Sequence, residues 1–284
     1  MNIAANKISP EVMYDMIEIF ESQEWLNEFV GELIELWNVC EFRQEQTLLK
    51  SLIMDICLFN AAMERLAHSS INEKMQSWGL SPKSTWIVAV ANKTEIDGST
   101  AALQRLKNKI LPFDNWHSRF ISNIPEAAQF IKAGQSVVLF DDFIGSGDKM
   151  IKKGRWLRGI LDEKGVGHVD VYYLSLAAMR FGMEKIRAET RCEAYAYKEL
   201  TKAITDKFDA SEAARLIEVM TVLESRLFDR YKNKKIEDYS LGYGRSEALY
   251  CAENDNCPNN VFPVFWWTKL KDGRGFRTLF KRAG

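Results

Sequence analysis

The chain has 284 residues, and 38 Lys and Arg against 39 Asp and Glu give a formal charge of −1. That balance argues against a protein that coats duplex DNA, whose affinity comes from many phosphate-neutralising cations, while leaving room for a local basic patch. With 46% hydrophobic and 27% charged residues, the composition is that of a globular chain long enough for one large core or two modest ones.

No apolar run approaches the roughly 20 residues that span a bilayer. The stretch from Met1 to Lys7 lacks the apolar region of a signal peptide, so a cytoplasmic, membrane-free protein is expected. Cys40, Cys57, Cys192, Cys251 and Cys257 are scattered and form no C-x-x-C pair. They read as reduced thiols. With His68, His117 and His168 also lacking ligand spacing, no metal site built from these side chains is expected.

Residues 10–80 carry helical periodicity. Ser9 can cap a helix with Pro10 at its first position, and Met13, Met16, Ile17 and Phe20 share one face. Leu26, Phe29, Val30, Leu33, Ile34 and Trp37 repeat the period. A third run takes in Leu48, Leu49, Leu52, Ile53, Ile56, Phe59, Met63 and Leu66. Residues 1–82 are therefore expected to form an N-terminal part of about three helices, ended by Gly79 and Pro82.

From residue 85 strands alternate with helices. Trp86-Ile87-Val88-Ala89-Val90-Ala91 is a buried strand, and Gly98-Ser99-Thr100 precedes a helix at 100–110. A second strand covers 136–140, and a helix covers 148–163, ended by Gly165 and Gly167. A third strand covers 168–176, a helix 178–188 and a fourth strand 192–197. This alternation predicts a parallel sheet covered on both faces, over 83–210. Residues 211–233 return to helical spacing. The segment 211–284 is expected to add a helix and a hood over the ligand crevice, anchored by Phe262, Val264, Phe265, Trp266 and Trp267.

The chemistry lies in Val137-Val138-Leu139-Phe140-Asp141-Asp142-Phe143-Ile144-Gly145-Ser146-Gly147-Asp148. An apolar strand leads to two adjacent carboxylates, a Gly-Ser-Gly turn and a helix. Ligands of open α/β sheets bind at the carboxyl ends of strands. The glycines let backbone N–H groups approach an anion, and the helix adds its positive end. Carboxylates for hydroxyls beside an amide nest describe a site for a sugar 5-phosphate. No Walker A pattern occurs.

At these residues the chain resembles the type I phosphoribosyltransferases, whose loop for phosphoribosyl pyrophosphate (PRPP) has this order of apolar, acidic and Gly/Ser-rich residues. The resemblance implies a phosphoribosyltransferase-type α/β fold. It implies that Asp141 and Asp142 hold the ribose hydroxyls and that residues 144–149 (Ile144, Gly145, Ser146, Gly147, Asp148 and Lys149) cradle the 5-phosphate. It also implies Mg2+ held mainly through substrate. The Asp-Asp-Phe-Ile-Gly-Ser-Gly form, Leu241-Gly242-Tyr243-Gly244, the run from Pro258 to Trp266 and Leu279-Phe280-Lys281-Arg282 resemble a divergent branch of prokaryotic antiphage systems, some members of which accompany retron reverse transcriptases.

There are departures. Asp148 places an acid where the phosphate would lie; it reads as a helix cap or as a charge offset by Lys149. Lys93 stands after the first strand and reads as a solvated turn lysine or, by position, as a pyrophosphate contact. Asn259 and Asn260 read as turn residues or as amides that contact the ligand. The expected function is binding of PRPP or a ribonucleotide and action at the ribose anomeric carbon, as an antiphage effector with partners such as a reverse transcriptase or ATPase. The alternative is a non-catalytic sensor or scaffold subunit. Direct nucleic-acid binding is not expected, because no N-terminal helix is distinctly basic.

Overall fold

The computed structural model describes residues 8–91, 98–231, 234–253 and 255–282. The chain divides into two compact units. Met1–Leu58, Lys202–Cys251 and Asn256–Gly284 form the first; Phe59–Thr201 and Ala252–Asp255 form the second. The sequence pattern places boundaries at 82 and 210; the compact units divide after Leu58 and Thr201.

In the first unit, α1 (Pro10–Ser22), α2 (Val30–Trp37) and α3 (Arg43–Met54) are joined by α10 (Ala210–Glu224) from late in the chain. Ser9 caps α1 by accepting from the Val12 N–H at 3.3 Å. Leu48, Leu49, Leu52 and Ile53 of α3 are buried. Arg226 forks onto Glu45 of α3 through two hydrogen bonds of 2.7 and 2.6 Å. Trp266 and Trp267 are core residues. The periodic run 211–233 does not stay helical: α10 stops at Glu224, and Arg230–Tyr231 pairs with Lys234–Lys235 as a short antiparallel ladder.

The run from Leu48 to Leu66 is broken as well. After α3 comes β1 (Cys57–Phe59), and then α4 (Ala61–Ser77) opens the second unit. Asn60 accepts from the N–H groups of Ala62 and Met63 at 3.1 and 3.0 Å, which starts a new helix on a new face. Leu66 is exposed, while Ala67, Ile71 and Met75 are buried.

The second unit is the expected α/β domain. Its elements after α4 are β2 (Thr85–Ala89), α5 (Gly98–Leu106), α6 (Phe113–Trp116), β3 (Phe120–Ile121), α7 (Ile124–Phe130), β4 (Ser136–Ile144), α8 (Asp148–Glu163), β5 (Asp170–Met179), α9 (Arg180–Thr190) and β6 (Ala194–Leu200). The five strands form one sheet in the order β3-β2-β4-β5-β6, and every neighbouring pair is parallel. Val88, Val137, Leu139, Val171 and Tyr173 of the sheet pack with Leu157 of α8 and Ile186 of α9 in one buried cluster. Val138, Phe140 and Leu174, on the opposite face, are buried as well, and burial on both faces is what makes these strands near-continuous apolar runs.

Candidate functional site

The strand order marks the place where open α/β sheets hold their ligands. The chain passes from β2 outward to β3 and from β4 the other way to β5, so the order reverses between β2 and β4. In open α/β sheets the crevice lies outside the carboxyl ends of the strands at that reversal. Pairing of β2 with β4 ends at Ala89 opposite Phe140. Asp141 and Asp142 come next.

These aspartates are not beyond the strand, as the sequence pattern suggested. β4 continues to Ile144, because β5 runs on to Met179 and pairs Asp141 with Ser175, Phe143 with Ala177 and Ile144 with Ala178. Ser175 Oγ lies 3.1 Å from the Asp142 carbonyl and 2.7 Å from that of Ala177, bracing the two strands together. Past Phe140 the ladder with β2 ends, and the pairing of β4 with β5 continues to Ile144.

The two carboxylates have different partners. Asp141 is only 2% exposed, and its Oδ1 accepts from Lys149 Nζ at 3.2 Å and from the Asp142 N–H at 3.2 Å. The Asp142 carboxylate lies against Gly98, the first residue of α5: a Cβ on Gly98 would stand 2.7 Å from the carboxyl carbon and 2.8 Å from Oδ1. A carboxylate at a helix start meets the positive end of the helix dipole.

The turn that follows is closed on itself. Ser146 Oγ donates to Asp148 Oδ2 at 2.8 Å and accepts from the Asp148 N–H at 3.4 Å. Lys185 Nζ of α9 donates to Asp148 Oδ1 at 2.6 Å. Lys185, and then Ser146, hold the Asp148 carboxyl below its usual range. Lys149 therefore does not offset Asp148; it pairs with Asp141. Successive helical residues project about 100° apart, so neighbours at the start of α8 serve different partners. Nor is Asp148 the cap. That position is Gly147 in the left-handed region (φ 82°), and Asp148 is the acid of the first turn.

Gly147 is glycine for a reason the sequence did not disclose. A Cβ there would stand 2.6 Å from the Gly182 carbonyl oxygen and 3.2 Å from Ile186 Cγ1. Reciprocally, a Cβ on Gly182 would fall on the Gly145 carbonyl oxygen and 3.2 Å from the Gly147 nitrogen. The turn is thus seated backbone to backbone on α9. Neither Gly182 nor Lys185 was singled out from sequence. The available signal was a glycine inside a helical run, which costs about 1 kcal/mol against alanine and calls for a packing reason.

The remaining expected site residues fall elsewhere. Ile144 is buried, so only its backbone is available to a ligand. Lys93 lies outside the described residues. Asn259 and Asn260 belong to the first unit. The Asn259 carbonyl accepts from the Tyr243 N–H at 2.8 Å, and Asn260 Nδ2 donates to Ser246 Oγ at 2.8 Å and to the Tyr243 carbonyl at 3.2 Å. They brace the loop around Gly242.

Among the described residues no group of three or more His, Cys, Asp or Glu side chains could hold a metal ion, and no helix is long and apolar enough to cross a membrane.

A model of the PRTase-CE family matches residues 22–282. The chain belongs to the PRTase-CE family. The family is of phosphoribosyltransferase type, as the resemblance of the Asp141–Asp148 motif implied, and the parallel α/β sheet agrees with it. Among solved structures, orotate phosphoribosyltransferase from Mycobacterium tuberculosis in complex with inorganic phosphate is 12% identical, with a TM-score of 0.32, covering 58% of this chain and 93% of that one. Orotate phosphoribosyltransferase from Aeropyrum pernix is 15% identical, with a TM-score of 0.31, covering 46% and 68%. Adenine phosphoribosyltransferase from Thermoanaerobacter pseudethanolicus is 15% identical, with a TM-score of 0.29, covering 47% and 80%. Likenesses this distant add nothing to what the family and the sheet already show. No curated protein matches the chain.

Proposed function

We propose that this protein binds PRPP or a ribonucleotide at the strand-order reversal and acts at the ribose anomeric carbon. One observation carries the reading. Two adjacent aspartates and a Gly-Ser-Gly turn stand at the carboxyl end of the central strand, where the order reverses, in a chain of the PRTase-CE family. In this reading Asp141 and Asp142 accept hydrogen bonds from the ribose hydroxyls. The backbone N–H groups of 145–148 and the start of α8 hold the 5-phosphate. The fixed aspartates favour positive charge developing on the ribose, so the chain acts chiefly by positioning and electrostatics.

A polyphosphate brings several negative charges to a site that already holds Asp141, Asp142 and Asp148, which calls for a cation beside it. As the motif resemblance implies, Mg2+ would be held mainly through the substrate's own oxygens, with Asp141 and Asp142 on the ribose hydroxyls. Bound magnesium would neutralise the departing pyrophosphate. The biological part of the proposal follows the motif resemblance: a cytoplasmic antiphage effector working beside a reverse transcriptase or ATPase.

A second reading, a sensor or scaffold that binds without turnover, is favoured by one feature. The carboxylates of Asp141 and Asp148 are already engaged by Lys149 and Lys185. Both readings require binding. PRPP with magnesium at one hundred times Kd should stabilise the protein by about 2.7 kcal/mol, seen as a higher melting temperature. No shift at millimolar ligand, in protein that still melts cooperatively, removes the pocket assignment.

Asp148 supplies a second test. Its carboxylate competes for the turn that would hold the phosphate. Asp148→Asn leaves the backbone nest and Lys185 in place, so affinity for PRPP measured by calorimetry should rise several-fold. An unchanged or weaker affinity would show that the carboxylate does not compete.

A further inference from the structure

The second unit has a cavity of about 400 Å³ between α4 and the far end of α5. Glu64, Arg65 and His68 line it from α4, where spacings of three and four residues place them on one face. Arg105, Asn108 and Lys109 line it from the end of α5 and the turn beyond. α5 begins at Gly98 against Asp142, and Arg105 is seven residues further, about 10 Å at 1.5 Å per residue. The cavity therefore sits at the opposite end of that helix from the aspartate pair.

Its charges are unevenly satisfied. Arg105 donates to Glu64 Oε1 at 2.6 Å and to Asp255 Oδ2 at 3.3 Å, so its charge is matched within the unit. Arg65 and Lys109 have no acidic partner among the described residues. His68 is 5% exposed, and its buried Nε2 has no hydrogen-bond partner. The nearest acid, Glu64 Oε1, stands 3.8 Å away and is already taken by Arg105. Burial first, then Lys109 and Arg105, depress the His68 pKa against the pull of Glu64, so the ring is neutral at neutral pH. Buried polar atoms without partners are uncommon in folded proteins and call for a specific explanation.

We propose that this cavity is a second binding site, taking a small phosphate monoester. Arg65 and Lys109 match the dianion, Asn108 supplies an amide donor, and His68 Nε2 gains the hydrogen bond it lacks. The volume lies within the range of small-molecule sites and exceeds what a bare ion needs. The assignment does not rest on the reading of the Asp141–Asp148 crevice.

The chain has three histidines, which makes His68 a clean reporter. His117 and His168 are both exposed and serve as internal controls. In histidine-labelled protein, long-range proton–nitrogen correlation spectra should show the His68 ring nitrogens shifting saturably with inorganic phosphate and with ribose 5-phosphate. His117 and His168 should respond only as they do to chloride at matched ionic strength. The double variant Arg65→Gln with Lys109→Gln changes two exposed side chains and should weaken the His68 response at least tenfold. Asp141→Asn with Asp142→Asn should leave it intact, which separates this site from the crevice. A His68 signal that stays still, or follows chloride equally, overturns the proposal. So does a response that survives the Gln variant, or one seen with inorganic phosphate but not with ribose 5-phosphate.

Discussion

Gly182→Ala should abolish measurable binding of PRPP while leaving most of the protein folded. The added methyl falls on the Gly145 carbonyl oxygen, 3.1 Å from its carbon and 3.2 Å from the Gly147 nitrogen. All of these atoms are backbone, so no side chain can swing away; the turn or the start of α9 has to move. Overpacking of this kind costs about 1–3 kcal/mol. Alanine in place of a helical glycine returns up to about 1 kcal/mol, so the net fall in stability should be small. Binding should suffer far more, because an amide nest depends on where its N–H groups point. Lys185 lies one turn further along α9, so the shift also disturbs its bond to Asp148. Circular dichroism melting and calorimetric titration separate the two effects. Affinity kept within about threefold would show that the seat on α9 does not shape the site.

Gly182 illustrates what the sequence could and could not disclose. Periodicity placed a helix at 178–188, close to the observed Arg180–Thr190, and the helix at 148–163 is found as Asp148–Glu163. Both amphipathic faces pack on the sheet, so local pattern and tertiary burial agree. The partner of a glycine is not local information, and Gly145 precedes Gly182 by 37 residues. Strand length failed for the same reason. The apolar run ends at Phe140, yet β4 extends to Ile144 because β5 offers a paired edge. The two-residue β3 is too short to carry any period. The apolar residues on either side of Asn60 match one helical register and mask the break at which Asn60 caps a new helix. In the site, the sequence pattern joins Asp141, Asp142 and the Gly-Ser-Gly turn in one segment, but the two aspartates belong to β4 and only the turn leaves the strand. Which lysine answers which aspartate depended on α9, which no spacing rule connects to α8.

Replacing Asp141 and Asp142 together by Asn should separate an enzyme from a sensor. The change removes two charges and keeps the shapes. The fold should tolerate it, since a buried neutral amide is cheaper than a buried carboxylate, and Lys149, 47% exposed, can be solvated once Asp141 no longer pairs with it. Hydrogen bonds to charged acceptors contribute about 1.5–3 kcal/mol each, and a tenfold change in affinity is about 1.4 kcal/mol. Asp141 already shares its charge with Lys149, so its part should be the smaller and the loss of affinity roughly tenfold to a hundredfold. If the protein turns ligand over, the rate should fall further than the affinity, because the aspartates matter most once positive charge develops on the ribose. Calorimetry gives the affinity, pyrophosphate or base release gives the rate, and protection of cells against phage tests the proposed antiphage role. Should the Asn pair keep phage protection while Gly182→Ala loses it, occupancy of the crevice rather than chemistry in it is the function. Should both variants keep it, the Asp141–Asp148 segment is not the working site. Only equal loss of protection and turnover in both variants, with affinity in the Asn pair less affected, supports transfer or cleavage at the anomeric carbon.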